Sequence, residues 1–351
     1  MSALRWLRDL PGVALRDLPL YRRAFAHSGP GFRSDPSGWT ALSNRTEPLR
    51  RAGPGYQCDW PWGSELRAAA VLPPLARRLM HLALAEWPIA FCDAPRAGAP
   101  QVSFIFAHAG RDRLPQLRQT IRAVFAQDLP CEVVVVDQSE TQLLAELPAA
   151  VRYRHLAKDA IAPGWYKSWA YNIGARLATA PILVFHDGDT LPPVAYAREI
   201  VTTIRERGFA AASLQRFLFY LNPSDSIDVQ RCDACAGATP TMVFQNWKGG
   251  TIAIEREAFL ASGGYDESFV NWGGEDDEFY DRVSDVGHCR DGYLPFVHLW
   301  HAPQAQRYSA SGANVRDKLP ALLRIERASR SNALRLRGQA NFDGPRTESL
   351  A

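Results

Sequence analysis

The sequence predicts an α/β protein: a mostly parallel, doubly wound (Rossmann-like) sheet preceded by a helical and irregular N-terminal extension. Two apolar runs of strand length carry the prediction, Val133-Val134-Val135-Val136 and Ile182-Leu183-Val184-Phe185. Uninterrupted runs of this kind mark strands buried on both faces. Around them lie segments with apolar residues at helical spacing, and strands that alternate with helices imply parallel crossover units.

Residues 1–100 differ in texture from the rest of the chain. Short helices are expected over Ala3 to Leu10 and Leu66 to Trp87, separated by a Gly/Pro/Ser-rich middle from Ser28 to Pro61. That middle holds Trp39, Tyr56 and Trp60, with Trp62 just beyond it, an aromatic density that argues against plain disorder. Ala94 to Pro100 is small and turn-prone, a linker. The α/β rhythm then begins with a strand over Val102 to Phe106. A helix from Leu114 to Phe125 comes next, with Leu117, Ile121 and Val124 on one face. After the valine run, Asp137 ends the strand, and Trp165, Trp169, Ile173 and Leu177 recur every four residues as another helix. Phe279, Val283 and Val286 repeat at helical spacing, so the acidic run Glu275-Asp276-Asp277-Glu278 reads as the first turn of an amphipathic helix. A basic helical stretch, Leu319 to Leu336, closes the chain, either capping the domain or touching a membrane surface, with solvated packing preferred. The expected division is thus 1–100, an accessory region; 101–303, the α/β domain; and 304–351, a helical tail.

Bulk properties exclude several classes. At 351 residues the chain is long enough for one large domain with an accessory segment or for two modest domains, and its formal charge of +3 demands no nucleic-acid partner. No apolar run reaches the roughly 20 residues of a membrane span. The best candidate, Ala68 to Phe91, is broken by Pro73, Pro74, Arg77, Arg78, His81 and Glu86. Arg5, Arg8 and Asp9 interrupt any signal-peptide core. Six scattered cysteines form no disulfide framework, and Cys232-Asp233-Ala234-Cys235 lacks the second ligand pair a structural zinc needs. A reducing, cytoplasmic compartment fits.

Ligands of doubly wound sheets bind at the carboxyl ends of the strands. That rule selects His108 and Arg111, Asp137, and His186-Asp187-Gly188-Asp189. Asp187 and Asp189, spaced by a glycine at a strand end, suit a hard divalent cation, although Asp-Gly is also a turn signal. His298 and His301, three apart after Leu294-Pro295-Phe296-Val297, suit sharing a metal with a carboxylate. Four consecutive acids behind Trp272-Gly273-Gly274 repel one another and make poor core material, which points to a site. Acids at a helix start also complement the helix dipole, but that accounts for one or two of them.

Together these segments resemble the GT-A glycosyltransferases. Val102 to Asp189 resembles glycosyltransferase family 2: a first strand, then Val133 to Asp137 with Gln138-Ser139, then Lys167 to Gly174, then the Asp-x-Asp. Lys248 to Val283 resembles the catalytic module of β1,4-galactosyltransferases and chondroitin-polymerase-type enzymes, through Gly249-Gly250, Gly263-Gly264-Tyr265 and Trp272 to Asp277. The resemblance spans about 102–303 and leaves 1–100 uncovered. It implies a GT-A fold and an inverting, metal-dependent transfer of a hexose or N-acetylhexosamine from a UDP-sugar to a hydroxyl of a glycan or lipid-linked glycan.

It also implies residue roles. Asp137 would contact uridine, with His108 and Arg111 near base and ribose and Lys167 on the donor side. Asp189 would bind Mn²⁺ (or Mg²⁺), supported by Asp187, with His301 as downstream ligand and His298 standing where the galactosyltransferases use a methionine. Gly249 and Gly250 would line the donor sugar, Trp272 would stack on a sugar ring, and Glu275 and Asp277 would hold acceptor hydroxyls. Asp276 would be the base. Spacing supports the last role separately: three residues before Phe279 and seven before Val283, Asp276 lies on the inward face, and its acidic neighbours raise its pKa. Two alternatives stand beside this reading. A nucleotidyltransferase needs a Gly-rich basic loop after the first strand, which Ala107 to Arg113 matches poorly. A catalytically inactive GT-A scaffold that binds UDP-sugar sits badly with intact Asp187, Asp189, Asp276 and His301. Residues 1–100, with Cys58-Asp59-Trp60-Pro61-Trp62, are open to acceptor binding, a protein partner or peripheral membrane contact.

Overall fold

A computed structural model describes residues 3–26, 38–44, 47, 49–58, 64–156, 164–246, 248–303 and 317–350. Residues 27–37, 45, 46, 48 and 59–63, which include Asp59 to Trp62, and residues 304–316 lie outside the described residues. The N-terminal helical run outlasts its expected end at Leu10. It passes from α1 (Ala3–Gly12) through a π-helical stretch, Val13–Asp17, into α2 (Leu18–Ala26). A hairpin, β1 (Leu49–Ala52) and β2 (Gly55–Cys58), and the short β3 (Ser64–Glu65) come next. The helix expected from Leu66 to Trp87 is two helices, α3 (Arg67–Val71) and α4 (Pro73–Glu86). The break falls at Leu72, with φ −124° and ψ 87°. Clash with the ring of Pro73 keeps the preceding residue out of the helical region.

The α/β domain runs β4 (Val102–His108), α5 (Leu114–Phe125), β5 (Cys131–Asp137), β6 (Arg152–His155), α6 (Lys167–Leu177), β7 (Ile182–His186), β8 (Thr190–Leu191), α7 (Tyr196–Val201), β9 (Ala211–Ala212), β10 (Gln215–Tyr220), α8 (Pro223–Cys232), β11 (Met242–Gln245), β12 (Thr251–Glu255), α9 (Arg256–Ala261), α10 (Glu275–Val283), β13 (His288–Cys289) and β14 (Leu294–His298). Helices Leu319–Leu322 and Arg327–Arg337 close the chain. Among the described residues, seven strands form the main sheet in the order β13-β9-β12-β7-β4-β5-β6. Its centre, β7-β4-β5-β6, is parallel, and β12 adds antiparallel to β7.

Side-chain alternation along β4 shows why both faces had to be apolar. Phe104 and Phe106 enter the core with Leu117, Ile121 and Val124 of α5. Ile105 enters the opposite core with Trp169 and Ile173 of α6. Helix α6 lies so close that a Cβ on Gly174 would stand 2.3 Å from Ile105 Cγ2. The parallel centre therefore brings the ends of β4, β5 and β7 to one edge, where His108, Asp137 and Asp187 stand.

A second sheet, β3-β11-β10-β14-β8, has no counterpart in the sequence pattern. It draws residues 1–100 into the α/β domain. Tyr21, Trp39 and Leu79 share one core with Phe217 and Phe296, and buried Arg216 donates to the carbonyls of Thr40 and Leu42. Cys232 and Cys235 are both free. Asp233 between them ends α8 in the left-handed region and pairs with Arg122, so that segment is a helix stop.

The amphipathic reading of 275–286 needs two corrections. Helix α10 buries Phe279 and Val283 but stops there, and Val286 is exposed. The acidic run is also not excluded from the core. Glu278 is 1% exposed. Its carboxylate accepts from Arg282 at 2.6 Å and from Arg330 of the last helix at 2.7 Å. Two guanidiniums replace the water a buried carboxylate loses. Arg330 also reaches Asp281, so the C-terminal helix is a cap clamped to α10. We expect Arg330→Leu to cost on the order of 3 kcal/mol of stability, measured by urea unfolding; a loss below about 0.5 kcal/mol would contradict the clamp.

Candidate active site

Two charge clusters meet at the carboxyl edge of the main sheet. The first is built on Lys167, the opening residue of α6. Its Nζ lies 3.0 Å from Asp276 Oδ2, 3.2 Å from Asp187 Oδ1 and 3.3 Å from Glu275 Oε1. Tyr171, one turn along α6, donates its hydroxyl to Asp187 Oδ1 at 3.2 Å. Three carboxylates from the end of β7 and the start of α10 thus share one largely buried ammonium. Burial works against the charge on Lys167, but Asp187, Asp276 and Glu275 outweigh it and hold its pKa well above the usual lysine value. Asp276 cannot be fully satisfied. Burial, with Glu275 and Asp187 adding repulsion against the pull of Lys167, pushes its carboxyl up to about 7. Asp277 is pushed up to about 6, again chiefly by burial.

The second cluster is Asp189, His298 and His301, whose ligand atoms all lie within 4.8 Å of one another. The turn at Gly188 carries the chain from Asp187 to Asp189, linking the clusters. Pairing of β14 with β8 sets His298 opposite Thr190, and Leu299 N donates to Asp189 O at 2.8 Å. His298 Nε2 is 3.4 Å from Asp189 Oδ1, and His301 Nε2 is 3.3 Å from Oδ2. The His298 ring stacks on Tyr220, with centroids 4.1 Å apart. Arg113 Nη1 also approaches Asp189 Oδ2 at 3.3 Å. Desolvation disfavours a charged Asp189, but His298, His301 and Arg113 overcome it and hold its carboxyl well below the usual range.

Glycines shape the cleft between. Gly249 and Gly250 have φ of 103° and 79°, and Gly273 and Gly274 have φ of 102° and 91°. L side chains rarely adopt these values. Gly250 O accepts from Asp187 N at 2.8 Å, which seats the Gly-Gly turn against the Lys167 cluster. Trp272, 42% exposed, stands in front of α10.

Not every expected residue faces this cleft in the same way. Asp137 is fully buried: Ser139 N and Oγ donate to its Oδ1, and Tyr153 donates to Oδ2 at 2.6 Å. Arg111 points outward to Glu146 at 2.5 Å. His108 is buried at the end of β4, and its Nε2 has no partner among the described residues. Glu275 is turned inward, held by Lys167 and by Gly273 N at 3.0 Å. Arg113 and Tyr171 join the site although the sequence reading gives them no role. Tyr171 lies within the Lys167 to Gly174 segment, one helical turn after Lys167, whereas the only signal for Arg113 is its position after β4.

Residues 111–255 match the family model of glycosyl transferase family 2, and residues 237–293 match the model described as the N-terminal domain of galactosyltransferase. The two matches overlap over residues 237–255. These matches mark the chain as a glycosyltransferase. No curated protein matches it in sequence. Among solved structures it is similar to a mannosyltransferase, PcManGT from Pyrobaculum calidifontis in complex with GDP-Man and Mn²⁺, at 17% identity and a TM-score of 0.42, over 75% of this chain and 82% of that one. It is also similar to the catalytic domain of Drosophila β1,4-galactosyltransferase 7 in complex with xylobiose, at 17% identity and a TM-score of 0.33, over 58% and 72% of the two chains. Overlaps this loose say nothing of donor or acceptor here.

Removing the shared ammonium leaves Asp276 with burial and the repulsion of Glu275 and Asp187. In Lys167→Met the Asp276 titration, followed by carboxyl NMR, is expected to move up from about 7 by on the order of one pH unit. An unmoved or lower midpoint would show that Lys167 does not hold this carboxylate.

Proposed function

We propose that the protein is an inverting, metal-dependent glycosyltransferase that moves a hexose or N-acetylhexosamine from a UDP-sugar to a hydroxyl of a glycan or lipid-linked glycan. One observation carries the reading. A carboxyl pushed up to about 7, Asp276, is salt-linked through Lys167 to Asp187, two residues from the Asp189–His298–His301 cluster. A proton acceptor and a candidate cation site thereby face one cleft.

The cluster fits a divalent cation. Two imidazoles and a carboxylate converge, and this mixed nitrogen and oxygen set suits Mn²⁺ better than Mg²⁺, which prefers oxygen and water. Bound there, the ion would neutralise the departing diphosphate. Asp189, His298 and His301 would hold it, and Asp187 with Tyr171 would keep the turn in place. Lys167 adds a positive charge on the donor side.

Asp276 takes the proton of the attacking hydroxyl. Its raised pKa keeps it a usable base near neutral pH. One hydroxyl attacks and one base assists, so displacement is single and the anomeric centre inverts. Trp272 offers its exposed ring as a stacking platform for a sugar, and Asp277 faces the acceptor. Glu275, bound by Lys167, shapes the site from behind. At the other end His108 faces the nucleoside, Arg111 reaches it only by leaving its outward pair with Glu146, and Asp137 acts through Ser139 and Tyr153, fixing the loop against which uridine lies. Gly249 and Gly250 let the donor sugar approach the backbone. No helix of the described residues is long and apolar enough to cross a membrane. We place the reaction in the cytoplasm, with residues 1–100 serving acceptor or surface contact, as in surface polysaccharide or glycoconjugate synthesis.

The test is a UDP-release screen over common UDP-sugars with Mn²⁺, then a panel of glycan acceptors. Asp276→Asn should keep UDP binding and lose transfer by about 10²–10⁴-fold, the usual worth of a general base. Near-normal transfer would remove Asp276 from that role. Only the ionised carboxylate accepts a proton, so kcat/KM should rise with pH and level off above about 7. Asp189→Ala is expected to abolish the Mn²⁺-dependent part of UDP binding, read by calorimetry with and without the ion; wild-type protein that binds UDP equally in both would exclude the metal site.

A further inference from the structure

Five glutamines are buried among the described residues: Gln119, Gln127, Gln138, Gln215 and Gln245. Four of them use their carboxamides. Gln119 donates to Asp233, Gln127 to Pro193 O, Gln138 to Tyr166 O and Gln245 to Glu47. Gln215 is the exception. It is 4% exposed, and neither its Nε2 nor its Oε1 has a partner among the described residues. Leaving a buried amide unpaired costs about 1–3 kcal/mol, and the great majority of buried polar groups avoid it.

Its position says what the group is for. Gln215 opens β10 at a register irregularity against β14, which sets it apart from the regular ladder. Its side chain ends beside the Gly249–Gly250 turn. A methyl group on Gly250 would find, among the described residues outside its chain neighbours, only Gln215 Oε1 within contact range, at 4.0 Å. Among the described residues, the space over Gly250 is thus bordered only by this buried, unpaired carboxamide. The same Gly250 accepts from Asp187 N, so this space adjoins the Lys167–Asp276 cluster.

We propose that Gln215 is a specificity residue that hydrogen-bonds a hydroxyl of the donor hexose seated over Gly249 and Gly250. A carboxamide donates and accepts at once, which matches a hydroxyl, and the pairing would repay the desolvation the free protein bears. A site built to pair with a hydroxyl discriminates strongly against sugars that lack it in that position. The inference rests on the donor-binding reading above.

The experiment compares wild type with Gln215→Met, an apolar residue of similar length, in Mn²⁺. Calorimetry measures binding of UDP, UDP-glucose, UDP-galactose, UDP-N-acetylglucosamine and UDP-N-acetylgalactosamine, and UDP release gives kcat and KM for each. The Met protein should unfold at the same or a higher temperature and bind UDP within about twofold of wild type. The preferred UDP-sugar should lose about tenfold or more of its advantage over UDP, the equivalent of one net hydrogen bond. The order of preference among the four sugars should flatten. Gln215→Asn, which withdraws the carboxamide by one methylene, provides the same comparison if the Met protein does not fold. Unchanged discrimination among the sugars would overturn the proposal and leave Gln215 holding water alone. An equal loss for UDP and every UDP-sugar would also overturn it, as a structural defect. A wild-type protein that binds no UDP with Mn²⁺ would instead sink the donor reading itself.

Discussion

The geometry of the site depends on one ammonium among three carboxylates. Lys167 begins α6, Asp187 follows β7, and Glu275 and Asp276 begin α10. Without a cation between them the three acids would repel, and burial would multiply that repulsion. With one cation they are brought together but remain under-compensated. The residual imbalance falls on Asp276, whose carboxyl rises to about 7. The same contact therefore assembles the cleft and tunes the group proposed to take a proton there.

A second charge arrangement holds this one in register. Helix α10 divides its acids by face: Glu275 and Asp276 turn to Lys167, and Glu278 turns to Arg282 and Arg330. The first set is short of positive charge, whereas the second is fully paired and buried. A rigid, satisfied clamp behind the helix keeps the strained front in place, as a functional site requires of its support. On the far side, Arg216 ties β10 to Thr40 and Leu42, so the N-terminal region braces the strand that carries Gln215.

Much of the fold was legible because local pattern and tertiary environment agree where strands are buried on both faces. Val133 to Val136 and Ile182 to Phe185 have a single sensible reading, and the rule of strand ends then located Asp187 and Asp189. Edge elements were not legible. Strands such as Thr190–Leu191 and Ala211–Ala212 are two residues long, too short for any period to show. They pair only because the rest of the sheet presents a partner. Adjacency groups Glu278 with Asp276, but the rotation of about 100° per residue turns it away, toward Arg282 and toward Arg330, which no local spacing reveals.

The sequence by itself determined the residue types of the chemistry: an Asp-x-Asp at a strand end, two histidines three apart, and acids behind Trp-Gly-Gly. It determined the family resemblance too, because those motifs are short and local. Only the tertiary structure decided which charges meet. Lys167 lies 109 residues from Asp276, and His298 reaches Asp189 through the pairing of β14 with β8. Contacts of that separation depend on how the sheets close, and no local spacing encodes it. The same closure buried Asp137, turned Glu275 inward and left the carboxamide of Gln215 without a partner among the described residues.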